Sequence, residues 1–194
     1  MIALASAARE GRLASAEIAI VISDKRDAAG LASAKELGLN TLVIERRGQS
    51  REQHDHEIVG ALRNHNVGLV CLAGYMRLLS PYFVRAFPYR ILNIHPSLLP
   101  SFPGLDAHRQ AIEHGVKWSG CTVHFVDETL DGGPIIAQRT VPVRDNDTEE
   151  SLSERILAQE HQLYAEAVAL IVSGNYEVVG KRILRGAGSG TPTN

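Results

Sequence analysis

An excess of either charge sign is missing from this 194-residue chain: 20 Lys and Arg stand against 22 Asp and Glu, a formal net charge of −2. That balance disfavours a strongly basic nucleic-acid binder, while leaving room for a local basic patch. Long apolar runs are missing too. No stretch reaches the roughly eighteen residues a bilayer-spanning helix needs, so no membrane partner is expected. The opening MIALASAAREGRLASAEIAIVI has no basic leading segment and is interrupted by Arg9, Glu10, Arg12 and Glu17. It therefore does not resemble a secretory leader, and a cytoplasmic location is expected. Cysteine is scarce. Cys71 and Cys121 sit in the apolar runs GLVCLAG and GCTVHFV, far apart and without metal-ligand spacing. They are expected as buried free thiols in a reducing compartment. The eight histidines are scattered too widely for a metal site, and no metal is expected. Nucleotide signatures of the G-x-G-x-x-G and G-x-x-x-x-G-K-[ST] types are absent, as is a G-x-S-x-G nucleophile elbow.

What remains is a globular composition, 44% hydrophobic and 22% charged, of a length that suits one domain. A helix is expected over residues 1–11, a buried strand over 16–23, a helix over 24–38 and a strand over 40–45. Ser50-Arg51-Glu52-Gln53 is a capping-box pattern, so a helix should run from there to about His65. On that helix His54 and His56 are expected to face solvent. Residues 67–74 read as a fully apolar strand, Ser80-Pro81 as the start of a short helix and 89–95 as another strand. Near-continuous apolar strands between amphipathic helices imply an α/β fold with a mostly parallel, doubly wound sheet. The second part differs: a helix near 106–115, two strands CTVHFVDE and PIIAQRTVPV joined by TLDGG as a ribbon at the sheet edge, a long helix over 149–173 and a terminal hairpin in YEVVGKRIL. One domain over 1–185 and a loose tail over 186–194 are expected.

Ligands of open α/β sheets lie at the carboxyl ends of the strands, and two unusual strings fall there, AGYMR and NIHPSLLPSFPG. Asn93 and His95 are two apart on an extended segment and so share a face. His95 reads either as a structural histidine or as a general acid; Asn93 reads either as a strand-end turn residue or as a donor to a developing oxyanion. Asp131, in LDGGP, is either an ordinary turn aspartate or the carboxylate that returns to His95 when the ribbon folds over. Gly132 and Gly133 either make the turn or bring backbone close to a flat ligand. With no convincing nucleophile in the chain, this set fits a direct transfer in which the substrate itself attacks.

LAGYMRLLS, ILNIHPSLLPSFPGLDAHRQAIEHG, CTVHFVDETLDGGPIIAQ and ILAQEHQLY resemble the phosphoribosylglycinamide formyltransferase family from Met1 to about Leu184. The resemblance implies formyl transfer from 10-formyltetrahydrofolate to the amine of 5-phosphoribosylglycinamide, a step of purine synthesis. It implies the formyltransferase type of fold, with a β-ribbon and long helix at the C-terminal end. It places Asn93, His95 and Asp131 as the catalytic trio. Arg51, Met76, Arg77, Leu78, Leu79 and Asn93 fall on the folate side, with Arg51 towards the glutamate tail, and Glu160 at the ribose of the ribonucleotide. The partners implied are the ribonucleotide and folate, with a monomer or weak homodimer as the assembly.

The family begins with an apolar strand and a Gly-Ser-Asn loop that binds the substrate phosphate. Met1 corresponds to a position just after that loop, so the chain is expected to be an N-terminally truncated domain. Other 10-formyltetrahydrofolate enzymes, the deformylase and the methionyl-tRNA formyltransferase, share an Asn-x-His and a distant Asp and stand as alternatives. So does a non-catalytic folate-binding protein.

Overall fold

The computed structural model of the protein describes residues 1–13 and 16–186. The expected tail therefore lies almost wholly outside the described residues, as do positions 14 and 15 of the run ahead of the first strand.

Chain order is α1 (Ile2–Arg9), β1 (Val21–Ser23), α2 (Ala29–Glu36), β2 (Thr41–Val43), α3 (Arg51–Asn64), β3 (Val70–Cys71), α4 (Pro81–Ala86), β4 (Ile91–His95), α5 (Ala107–Glu113), β5 (Trp118–Phe125), β6 (Ile135–Pro142), α6 (Glu149–Ser173), β7 (Tyr176–Val179) and β8 (Arg182–Arg185). Local chemistry accounts for the helix starts. Ser50 Oγ accepts from the Gln53 backbone N–H while the Gln53 side chain accepts from the Ser50 N–H, the reciprocal box its sequence implies. Ser80 Oγ accepts from the Phe83 N–H, and Pro81 fills the first helical position, where no donor is needed.

One sheet has the order β3-β4-β5-β6-β8-β7, and β1 and β2 form a second, two-stranded parallel sheet. The pairs β3/β4 and β6/β8 are parallel; β4/β5, β5/β6 and β7/β8 are antiparallel. The β5–β6 ribbon is thus part of the main sheet: β5 hydrogen-bonds to β4 and continues it, where the sequence suggested an element at its edge. Both faces are covered. Leu152, Ile156, Leu163, Tyr164 and Val168 of α6 pack with Leu92, Cys121, Val123 and Phe125 of the sheet, and Leu4 and Ala7 of α1 join them. On the opposite face Ile58, Val59 and Leu62 of α3 and Phe83 and Phe87 of α4 meet Val70 and Ile91. Each such fully buried side chain contributes about 1.5–3 kcal/mol of transfer free energy.

The strands expected over 16–23 and 67–74 are shorter in the structure. The reason is pairing: among the described residues β1 bonds only to β2, and β3 only to β4. Between them lies a cavity of about 970 Å³, lined by Ile18, Ile20 and Ile22 on one side and Leu69 and Cys71 on the other, with Met1 beside it. A strand with a partner on one edge only carries a row of backbone groups outside the ladder. At one mouth of this cavity Asp24, just past β1, lies 3.9 Å from Arg77, past β3.

Candidate active site

Two antiparallel strands and one turn assemble the polar cluster. In the β4–β5 register Asn93 faces His124 and His95 faces Thr122. The TLDGG turn then folds back onto the end of β5. At Gly133 a Cβ would fall 1.9 Å from the Phe125 carbonyl oxygen, and at Gly132 one would fall 2.3 Å from Thr129 Oγ1. Gly133 is therefore required by the close approach of the turn to its own strand, while at Gly132 the crowding comes from the Thr129 side chain within the turn. Asp131, held at φ +47, is carried by that turn to His95 and His124.

Asp131 Oδ2 lies 3.5 Å from His95 Nδ1 and accepts the Gly104 N–H at 2.8 Å. The other ring nitrogen of His95, Nε2, donates to the Phe102 carbonyl at 2.8 Å. A carbonyl only accepts, so Nε2 carries a proton. An imidazolium in this place would find an acceptor at both nitrogens, the Asp131 carboxylate and Phe102 O. The ring is buried and both edges are occupied. It can serve a substrate only by giving up one of those contacts.

His124 completes the cluster. Its Nδ1–H donates to Phe125 O at 2.9 Å, which leaves Nε2 to accept from the Asn93 amide Nδ2 at 3.3 Å. Burial holds the His124 pKa below the usual imidazole value, favouring this neutral form, although Asp131 Oδ1 stands 3.7 Å from Nε2 and acts the other way. The orientation of the Asn93 amide is thereby set, with its second N–H left to meet a ligand.

The proline-rich loop after β4 is held by Thr122. Its Oγ1 donates to Ser97 O at 2.7 Å and accepts from the Leu99 N–H at 3.0 Å and from Gln138 Nε2 at 2.9 Å. Beneath, the Tyr164 hydroxyl of α6 lies 2.8 Å from Leu72 O and 3.0 Å from Leu92 O, tying the ends of β3 and β4 together.

The structure brings Asn93, His95 and Asp131 together and places the remaining candidates around them with different exposures. Met76 and Leu78 stand out from the loop after β3, 77% and 54% exposed, and form an apolar step at the carboxyl ends of the strands. Leu79 turns inward against the second core cluster, and Arg77 is half-buried. Arg51 is exposed on the first turn of α3. Glu160 of α6 is partly buried, and desolvation raises its carboxyl pKa. Cys71 and Cys121 are free thiols, each pushed up to about 12 by burial.

One expectation fails. His54 does not face solvent but is fully buried, as is its neighbour Asp55. The register of α3 puts positions 54, 55, 58, 59 and 62 inward, a stripe that polar identities at 54 and 55 disguise in the sequence. Sequence reasoning also passed over Thr122 and His124. Their signal was available: two polar residues two apart in the apolar run CTVHFV, on one face of a strand.

Residues 1–168 match the family described as Formyl transferase. The chain is 48% identical over 160 residues to the trifunctional purine biosynthetic protein adenosine-3 of Drosophila melanogaster, covering 82% of this chain and 12% of that one. It is 43% identical over 159 residues to phosphoribosylglycinamide formyltransferase of Escherichia coli (strain K12), covering 81% and 75%. The chain thus spans only a small part of the trifunctional relatives. Among solved structures, glycinamide ribonucleotide transformylase 1 from Symbiobacterium toebii superposes with a TM-score of 0.92 at 50% identity, over 95% of this chain and 87% of that one. A formyltetrahydrofolate deformylase from Pseudomonas syringae pv. tomato str. DC3000 superposes with a TM-score of 0.86 at 28% identity, over 95% and 61%.

Proposed function

The chain belongs to the formyl transferase family, and from that premise we propose that it moves a formyl group from 10-formyltetrahydrofolate to the amine of 5-phosphoribosylglycinamide in purine synthesis. The observation that carries this reading is the convergence of Asn93, His95 and Asp131 at the carboxyl end of β4, within a chain 50% identical to a solved glycinamide ribonucleotide transformylase. The deformylase reading is weaker, at 28% identity over a longer protein.

The amine nitrogen of the ribonucleotide attacks the formyl carbon, and a C–N bond forms as the carbonyl π pair moves onto oxygen. The free N–H of Asn93 and a protonated His95 are the donors at hand for that oxygen. The Asp131 carboxylate, 3.5 Å from His95 Nδ1, is the acceptor for the second ring proton. Collapse of the tetrahedral carbon breaks its bond to the folate nitrogen, which takes a proton; the attacking amine loses one. His95 and Asp131, with water, are the groups that can move these protons. No covalent enzyme intermediate is needed, so much of the acceleration comes from holding amine and formyl carbon together. Arg77 and the backbone of Met76–Leu79 meet folate, Arg51 its glutamate tail, and Glu160 the ribose.

The cavity between β1 and β3 belongs to the same reading. Its apolar lining of Ile18, Ile20, Ile22 and Leu69 and the β1 and β3 edges that face it would accept a further apolar strand. Among the described residues each of these two edges has no ladder partner on the cavity side, which supports this placement.

Purified protein incubated with both substrates should yield tetrahydrofolate and the formylated ribonucleotide in equal amounts. Release of formate, with the ribonucleotide unchanged, would favour the deformylase reading instead.

A further inference from the structure

We propose that His54 is a positioning residue for the folate side of the site: it latches Arg77 and thereby fixes the loop that carries Met76 and Leu78. The role of the loop rests on the function proposed above; the latch itself rests on geometry. The His54 ring is completely buried on the inner face of α3. Its Nε2 lies 2.7 Å from the carbonyl oxygen of Ile44, just past β2, and its Nδ1 lies 3.3 Å from Arg77 Nη1. A carbonyl cannot donate and a guanidinium cannot accept. The two neighbours therefore impose a single state on the ring, with the proton on Nε2 and the lone pair of Nδ1 facing the arginine. A protonated ring would set an N–H against an N–H and a cation against a cation.

The latch has a second half. Asp55, the next residue and equally buried, accepts the Ser80 N–H with Oδ2 at 2.6 Å, at the far end of the same loop. Adjacent residues of one helix thus grip the loop at its middle and at its end. On its other side Arg77 faces Asp24 at 3.9 Å. Through one imidazole the carboxyl ends of β2 and β3 are joined, and through Arg77 that of β1 is drawn in. A side chain filling space alone needs no nitrogen at this position; the two polar contacts do. Met76 and Leu78, on either side of Arg77, are mostly exposed, with little burial to hold them in place. Their position is set by the backbone between them, and so by Arg77.

The test compares His54→Phe, which keeps the ring volume and loses both contacts, with His54→Gln, which offers a donor to Ile44 O and an acceptor to Arg77. Affinities for 10-formyltetrahydrofolate and for the ribonucleotide are measured by calorimetry on the full chain. His54→Phe should weaken folate about tenfold, the size expected for a lost hydrogen bond to a charged group, and leave the ribonucleotide unchanged. His54→Gln should recover most of the loss. A folded His54→Phe protein that binds folate like the parent, or that loses both ligands equally, overturns the proposal. If the parent itself binds no folate, the functional reading fails and the latch is judged separately. Nitrogen-15 shifts of the parent must then show His54 protonated at Nε2 and bare at Nδ1, and amide exchange over residues 77–80 must accelerate in the variant. A ring protonated at Nδ1 overturns the latch even if His54→Phe does not fold.

Discussion

His124 and Asn93, opposite each other across the β4–β5 ladder, are joined through their side chains: the asparagine amide donates to the imidazole Nε2 at 3.3 Å. This bond determines which way the amide points. His124 can accept only while neutral, and burial favours that form. Replacing it with Phe keeps much of the volume and frees the amide to rotate. Turnover should fall on the order of 10-fold to 100-fold, below the loss from removing an oxyanion donor outright. His124→Asn should do less damage. Steady-state rates of the two variants decide the matter; equal rates for parent and Phe variant would mean that Asn93 is oriented by something else.

The same histidine makes stability pH-dependent. Its folded pKa lies below the ordinary value of 6.5, so the unfolded chain takes up the proton first. The stabilisation is present above about 6.5 and is lost as pH falls through and below it. Denaturant midpoints of the parent should drop between pH 7 and pH 5 more steeply than those of His124→Phe. Parallel curves would show that His124 does not contribute.

For the trio, His95→Ala and Asp131→Asn should each lower turnover about 10²-fold or more while leaving the protein folded, the usual scale of general acid–base contributions. Near-parent turnover in either variant would remove that residue from the mechanism.

Much of this site could be read from the sequence, and the limits have physical causes. Asn93 and His95 stand out because polar residues ending an apolar strand must face something, and the capping box of α3 is written in local side-chain chemistry. What escaped depends on register and partners. The burial of His54 and Asp55 follows from the rotation of α3 against the sheet, which outranks their polarity. Gly133 could be read as a turn residue or as a close approach to a flat ligand, yet its necessity lies in the Phe125 carbonyl pressing on it. The shortened β1 and β3 reflect pairing on one edge among the described residues, a tertiary fact that apolar composition cannot express.

Glu160, proposed above to meet the ribose, offers a stability test. Burial raises its carboxyl pKa above the ordinary 4.5, so the folded state binds this proton more tightly than the unfolded chain does. Its contribution is favourable below about 4.5 and is lost as pH rises through the elevated folded value. Glu160→Gln should therefore raise the thermal midpoint at pH 7 and leave it little changed at pH 4, while weakening the ribonucleotide. A variant less stable at pH 7 would show that the ionised carboxylate is held by favourable contacts.

The cavity between β1 and β3 gives the largest expected effect. Five Val or Ile side chains entering it would each contribute about 2.5 kcal/mol by burial, against about 1.5 kcal/mol per residue for ordering the strand. The balance is on the order of 5 kcal/mol, or roughly 10–20 °C in thermal midpoint for a chain of this size. The extension to build is an apolar strand joined to Met1 by a short glycine-containing loop; a Gly-Ser extension of equal length serves as the control. The strand would pair with both bare edges, so amide exchange should slow on β1 and β3 together, at residues near Ile20–Ile22 and Leu69–Cys71. Pairing with one edge alone would protect one set and not the other. A midpoint no higher than that of the Gly-Ser control, with exchange unchanged on both strands, would show that the slot does not take a strand and that its walls are stable as they stand.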